Sequence, residues 1–401
     1  MSVGSQHSVT EAGASRARTS APVGAAKLGV CHIASGDRWA GAEVQLTALL
    51  KGLWQSPDLK LFAIFLNEGR LADEVRKIGI DVCVFDEAEQ SFFQILSGAV
   101  RFLVGKNVQV LHSHRYKENL LAAVLVRRCH VPIHVCSRHG APEPFKGWRG
   151  LKQGAIQALD RQVALRATDC VISVSNELRA QLTSGLTTTK VVTIHNGIDE
   201  DKVFSRFTKS EAKQRLGVSP GCAIIGTAGR LDPVKRLDIF LNATKQIADA
   251  LPDTRFVIAG DGAETSRLQD LAARVGLSEQ IQFLGHRDDI YDVIRAMDIF
   301  VLCSEHEGLP MALLEALYLG VPVVARPVGG IVEVIQDGVS GVWLPSAEPV
   351  DLASACISLL CDESRRDSLA QAGAAVVARG FTARHTVEQT RALYRSLSGV
   401  R

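Results

Sequence analysis

A chain of 401 residues, 46% apolar and 22% charged, exceeds one compact core and has the composition of a soluble globular protein of two domains. Its net charge of +2 marks no chain-wide attraction to polyanions, and no apolar run approaches the roughly 18 residues of a membrane span. Nine cysteines without a single C-x-x-C pair argue against a zinc or disulfide framework and read as small buried hydrophobes of a reducing, cytoplasmic compartment.

Residues 1–26 are rich in Ser, Ala, Gly and Thr, lack an apolar centre, and are expected to form a disordered tail. Residues 27–34 then give a strand, 35–41 a polar loop with Gly36 and Gly41, and 42–54 a helix carried by Val44, Leu46, Leu49, Leu50 and Leu53. Strand, glycine loop and helix in that order make a turn whose backbone N–H groups can approach a phosphate, with Gly41 the candidate contact; an ordinary βα turn is the alternative. Strands follow at 59–66 and 81–85, with a helix at 71–78 between them. The next strand, 108–113, ends in His114, and His112 and His114 alternate to one of its faces. A metal pair there would need a third ligand, and none lies nearby in the sequence.

Another strand, 131–137, leads to Arg138-His139-Gly140; residues 143–153 read as loop and 151–166 as helix. Between Arg101 and Lys152 ten Lys and Arg residues face only Glu118 and Glu143, with Phe145 and Trp148 set among Lys146, Arg149 and Lys152. Such a basic, aromatic stretch suits an anionic membrane surface; no nucleic-acid motif accompanies it. A strand at 169–175 offers Ser175 as a helix start, and 191–199 closes the first unit.

The second unit opens with a strand that delivers Arg230 into a loop holding Asp232, Pro233, Lys235 and Arg236, before a helix at 237–251. Residues 255–262 are a strand with a glycine turn, 264–275 a helix and 280–285 a strand. Strands alternating with helices of this length imply parallel, doubly wound sheets in an α/β fold. Gly260-x-Gly262 lacks the third glycine of a dinucleotide fingerprint, so NAD binding is not read from it.

The densest chemistry lies in Ser304-Glu305-His306-Glu307-Gly308-Leu309-Pro310-Met311-Ala312-Leu313-Leu314-Glu315, behind the apolar strand Ile299–Leu302. Pro310 suits the first helical position, and Leu309 before it has no side-chain oxygen to cap a helix. Uncapped amides at the positive end of a helix dipole form a seat for an anion. Glu307 just outside that seat and Glu315 inside the helix need hydroxyls or cations as partners, and sugar hydroxyls would serve.

Glu307 and Glu315, with Glu-Gly-Leu-Pro, the following Gly320-Val321-Pro322-Val323-Val324 and Pro327-Val328-Gly329-Gly330, resemble the Glu-x7-Glu signature of the family 4 retaining glycosyltransferases. The resemblance covers almost the whole chain after residue 27 and is densest over 223–345. It implies the GT-B architecture, two Rossmann-like domains facing across a cleft. The expected division is 27–202 for an acceptor-side unit, completed by the terminal helix 381–401, and 203–380 for the unit that binds the nucleotide sugar. It also implies a role for Glu307 and His114 at the donor sugar, for Arg230 and Lys235 at the diphosphate, for Glu315 at the ribose, and for Gly41 and the backbone of Gly308, Leu309, Pro310 and Met311 in donor binding. Only one glycine of the family's usual pair stands in Trp39-Ala40-Gly41-Ala42-Glu43, which weakens the diphosphate contact expected there. The implied reaction needs no metal and no cofactor beyond the nucleotide-diphosphate sugar, which is the substrate. Its acceptor would be a glycan or lipid-linked intermediate at the inner face of the cell membrane. A nucleotide-sugar epimerase or phosphorylase of the same architecture, or a non-catalytic sugar-nucleotide scaffold, are the alternatives. A glycoside hydrolase would need two carboxyls opposed across one bond, which a glutamate outside a helix and one inside it do not suggest.

Overall fold

The computed structural model describes residues 27–36, 39–140, 147–186 and 189–399, without the side chains of 147–153 and 155. The expected tail, 1–26, and Phe145, Lys146 and the side chains of Trp148, Arg149 and Lys152 lie outside the described residues.

Two parallel sheets organise the chain. The first is built from β1 (Leu28–Ala34), β2 (Leu59–Phe65), β3 (Asp81–Val84), β4 (Val108–His114), β5 (Ile133–Arg138), β6 (Cys170–Ser173) and β7 (Lys190–Thr193), in the order β3-β2-β1-β4-β5-β6-β7. Its crossovers are α1 (Gly41–Trp54), α2 (Arg70–Ile78), α3 (Phe92–Leu103), α4 (Tyr116–Arg128), α5 (Gly147–Ala167) and α6 (Asn176–Gly185). After α7 (Lys209–Arg215) comes the second sheet: β8 (Ile224–Ala228), β9 (Arg255–Ala259), β10 (Ile281–Gly285), β11 (Ile299–Leu302), β12 (Val323–Ala325) and β13 (Val342–Trp343), in the order β10-β9-β8-β11-β12-β13. Helices α8 (Leu237–Ala250), α9 (Thr265–Val275), α10 (Ile290–Ala296), α11 (Met311–Tyr318) and α12 (Ile331–Val334) alternate with its strands. The chain ends in α13 (Pro349–Cys361), α14 (Glu363–Gly380) and α15 (Ala383–Ser398).

The strands are apolar because helices cover both faces of a parallel sheet. β11 is buried at all four positions and β8 at all five. After α14, the chain returns to the first sheet: Ile198 and Thr382 pair as an isolated bridge, and α15 lies against α1 with Leu393 and Tyr394 in the core formed by β1, β2 and β4. Five cysteines are buried and all nine are unbridged.

Several sequence-based boundaries move. Residues 147–153, expected as loop, begin α5. Pro310 is the N-cap of α11 rather than its first helical residue; its backbone is extended, with φ −71° and ψ 127°. Ser175 caps α6 as expected, accepting from the N–H of Leu178.

In open parallel sheets ligands bind where the strand order reverses. That point lies between β1 and β4 in the first sheet and between β8 and β11 in the second. The loops after these four strands carry Gly41, His114, Arg230 and Lys235, and Glu307 to Met311.

Candidate active site

The loop after β8 brings Lys235 to the loop after β11. The Lys235 ammonium lies 2.6 Å from Glu307 Oε1, which also accepts from Ser304 Oγ at 2.6 Å. Arg230 extends from the same loop and reaches Asp232 at 2.6 Å. One cation thus meets a glutamate at the ends of the second sheet's strands, and a second stands five residues before it in the same loop.

Behind Glu307 the backbone is crowded. Gly329, at φ +56°, comes so close that a Cβ there would sit 1.9 Å from the Glu307 carbonyl oxygen. Gly308 approaches the opposite half of the molecule: a Cβ on it would lie 2.2 Å from the carbonyl oxygen of His139. Only glycine fits at either position. The two glycines therefore set both the depth of the Glu307 loop and the closeness of the two halves.

No side chain caps α11, and the amides of Met311 and Ala312 have no acceptor among the described residues. The carbonyl of Leu309 is held by Asn196 Nδ2 at 2.8 Å, which fixes the approach to that helix end. Met311 is buried, and its side chain lies opposite Gly41 at the start of α1, about where a Cβ on Gly41 would make a 3.3 Å contact. Glu315, one turn further in, is buried, with no hydrogen-bond donor to its carboxyl among the described residues; burial pushes it up to about 7. The ionised form, disfavoured by burial, becomes a good acceptor once hydroxyls arrive to favour the carboxylate.

The first half contributes a set that sequence reading largely missed. His114 ends β4 in the core, with Nε2 3.0 Å from His32 Nδ1 and Nδ1 3.3 Å from His139 Nε2. Both of its ring nitrogens thus have imidazole partners, and it also lines a small cavity at the strand ends. His32 is the third histidine that made a metal pair at His112 and His114 look incomplete. It comes from β1, where register places it opposite His112. Ligand nitrogens of His32, His112 and His114 lie within 4.8 Å of one another. They are the histidines that could hold a metal ion, although each is already matched with a polar neighbour.

Beside them, Glu43 of α1 accepts from the Ala40 N–H at 3.1 Å and pairs with Arg115, itself at φ +79°. Glu118 is buried, accepts from the Ser35 N–H at 2.7 Å and from its hydroxyl, and is pushed up by desolvation. A small cavity at the strand ends is lined by Ser35, Glu43, His114, Arg115 and His139 among others. Little in the local sequence could have marked them: their side-chain partners lie 25 to 83 residues away on other elements.

Sequence comparison with known proteins assigns both halves. A model of the glycosyl transferases group 1 matches residues 208–376, and one of glycosyltransferase family 4 matches 39–202. The D-inositol 3-phosphate glycosyltransferase of Stackebrandtia nassauensis is 30% identical over 71% of this chain and 67% of its own length. The chain belongs to the group 1 glycosyltransferases. This glycosyltransferase is also 27% identical, over 72% of its length and 79% of the relative's, to the Escherichia coli UDP-Gal:alpha-D-GlcNAc-diphosphoundecaprenol alpha-1,3-galactosyltransferase. Its fold is that of Anabaena Alr3699/HepE, solved in complex with UDP-glucose, at a TM-score of 0.81 and 22% identity over 92% of this chain and all of that one. The architecture is GT-B.

Proposed function

We propose that this glycosyltransferase moves a sugar from a nucleotide-diphosphate donor to a cell-envelope, lipid-linked or exopolysaccharide acceptor, with retention of configuration and without a divalent metal. The observation that carries this reading is the convergence of Lys235, Glu307, the uncapped start of α11 and Glu315 at the switch point of one sheet. A nucleotide diphosphate is a weakly basic leaving group, so the site needs charge stabilisation more than a proton donor. Lys235 and Arg230 would supply it together with the amides at 311–312, through charge-assisted hydrogen bonds. As the diphosphate takes Lys235, Glu307 becomes available to sugar hydroxyls near the reacting carbon. Glu315 would hold the ribose, and Gly41 permits the first half to close over the donor.

A lipid-linked acceptor fits the relative from Escherichia coli, whose name specifies a diphosphoundecaprenol substrate. We take 27–202 with 381–401 as the acceptor-side unit and 203–380 as the donor-side unit, the whole working in the cytoplasm against the inner face of the membrane. No helix among the described residues is long and apolar enough to cross a membrane, so attachment would be peripheral.

Nucleotide release from a panel of nucleotide sugars, with and without lipid-linked acceptors and in the presence of EDTA, tests the reading. Acceptor-dependent release that survives EDTA, giving a product of the donor's own anomeric configuration, is expected. An inverted product, or activity lost on chelation and restored by magnesium or manganese, refutes the corresponding part.

A further inference from the structure

The start of α6 and the loop before α12 grip each other across the two halves of the molecule. Ser175 caps α6 by accepting from the Leu178 N–H, and the Asn176 N–H has no acceptor within its own helix. That N–H donates to Glu333 Oε1 at 2.6 Å, and the Asn176 side-chain amide donates to Glu333 Oε2 at 2.6 Å. The amide is held in this orientation by Thr193 Oγ1, which donates to Asn176 Oδ1 at 2.8 Å. His195 Nε2 lies 2.7 Å from the same Glu333 oxygen. In return Glu177 Oε2, one residue further along α6, accepts from the Gly329 N–H at 2.8 Å. Each segment thus supplies a carboxylate to backbone amides that the other leaves open.

What the grip holds is the turn that carries Glu307. Gly329 packs on the Glu307 carbonyl, and the Gly330 N–H donates to the Gly308 carbonyl at 2.6 Å. A Cβ on Gly308 would meet Val174 Cγ2 at 2.9 Å, one residue before the cap of α6. Residues 174–177 of the first half therefore touch the second at Gly308, Gly329 and Glu333. Asn196, next to His195, adds its hydrogen bond to the Leu309 carbonyl. Its segment runs directly into the crossing between the halves, where Ile198 pairs with Thr382. The Glu307 side chain reaches only Lys235 and Ser304 among the described residues, and both belong to its own half. Its place relative to the first half is set through its backbone and the two glycines behind it.

We propose that this reciprocal clamp couples the position of Glu307 to the docking of the two halves, and that Glu177 and Glu333 are positioning residues for transfer. A joint that only holds the halves together would leave the Glu307 turn indifferent to the loss of these bonds. The geometry favours coupling, because Gly329 is at once the donor to Glu177 and the residue packed on the Glu307 carbonyl. A displacement of one is a displacement of the other, and an error of about 1 Å at a reacting group is costly. The effect on turnover rests on the glycosyl-transfer reading; the mechanical coupling does not.

The test is a polarity swap in the full chain, at residues outside the donor site. Asn176→Asp sets a carboxylate against Glu333, and Glu333→Gln offers a single acceptor to two Asn176 donors. Each should loosen the clamp. In the double variant the introduced amide accepts from the main-chain N–H at 176 and donates to the introduced carboxylate, so the match returns. Glu177→Ala removes the acceptor of the Gly329 N–H and leaves Glu333 as it is. Hydrogen exchange of the unliganded protein, read by mass spectrometry over 303–312 and 326–334, should quicken about tenfold in each single variant and recover in the double one. With donor and acceptor, kcat should fall about tenfold in the single variants and recover in the double variant. Affinity for whichever of UDP, GDP and ADP binds the wild type should stay within about twofold, since Lys235 is untouched. Unchanged exchange over 303–312 in the single variants overturns the coupling, whether or not a donor has been found. Quickened exchange with kcat intact overturns the positioning role. A double variant no better than the single ones overturns the pairing of Asn176 with Glu333 as the source of the effect.

Discussion

Glu307 and Lys235 act as one unit, because each is the other's partner until a donor arrives. Glu307→Gln keeps the shape and removes the charge that a sugar near the reacting carbon would use. Turnover should fall by about a hundredfold with nucleoside diphosphate affinity little changed, since the nucleotide engages the cation and not the carboxylate. Lys235→Ala should instead weaken the diphosphate by roughly 1.5–3 kcal/mol in calorimetry; wild-type affinity there removes Lys235 from the diphosphate site. Glu315 adds a pH dependence. Its folded carboxyl titrates at about 7 against an ordinary 4.5, so between those values the native state holds more protons than the unfolded chain. Stability then falls as pH rises through that window, by up to about 3 kcal/mol, and the cost is complete above 7. Glu315→Gln should be the more stable protein at pH 8 and lose that advantage below pH 4.5. If ribose hydroxyls bind the ionised carboxylate, a nucleoside diphosphate should release protons on binding near pH 6.5. Calorimetry in two buffers of different ionisation enthalpy reads this directly, and equal heats in both rule Glu315 out as the ribose contact.

At the scale of elements, the junction between β11 and α11 is where strand, glycine and helix combine into chemistry. Gly308→Ala would place a methyl group against the His139 carbonyl and push the two halves apart. Transfer should drop by about tenfold or more while the isolated nucleotide still binds, because the donor-side loops stay intact; unchanged kcat/KM would mean that this contact is not part of the closed state. The same junction shows what the sequence carries. The strand Ile299–Leu302, the uncapped helix after Pro310 and the cation loop after β8 are local patterns of apolar runs, prolines and glycines, and they were legible from the residues alone. The histidine chain was not. His32, His112, His139 and Tyr394 meet only because β1 lies beside β4 and α15 folds back onto that sheet, and no local period encodes either fact. Glu43, Arg115 and Glu118 escaped notice for the same reason: each looks like a surface charge until a partner on another element buries it. Helix α3 was hidden differently, since its run of Phe, Ile and Leu suits a strand about as well as a helix.

Over the whole molecule, the basic stretch from Arg101 to Lys152 divides once the fold brings acids to it. Lys106 pairs with Asp81, Arg115 with Glu43, Lys117 with Glu87 and Arg138 with Asp160, so these four cations are engaged inside the protein. Arg101, Arg127 and Arg128 are exposed and have no ion pair among the described residues. Next to them, α3 shows solvent a face made of Phe93, Ser97, Arg101 and Val104 at helical spacing, with Phe93 78% and Val104 71% exposed and Phe92 46% exposed beside it. Large apolar groups left in water beside unpaired arginines are what an anionic bilayer surface can use: the rings enter the interfacial layer and each cation adds about 1 kcal/mol. The surface proposed for membrane contact therefore centres on α3 and the end of α4, on the half expected to take a lipid-linked acceptor. Flotation with liposomes rich in anionic lipid should carry the wild type upward at low salt and release it as salt shortens the range of charge attraction to about 3 Å near 1 M. Phe92→Ser with Phe93→Ser should weaken binding at every salt concentration, since it removes buried apolar area. Arg101→Glu, Arg127→Glu and Arg128→Glu together should abolish the salt-sensitive part, while turnover on a soluble acceptor analogue stays at the wild-type level because none of the five residues lies at the strand ends that hold the donor. A wild-type protein that remains with the soluble fraction at low salt contradicts the membrane surface, and the acceptor would then have to be met in solution.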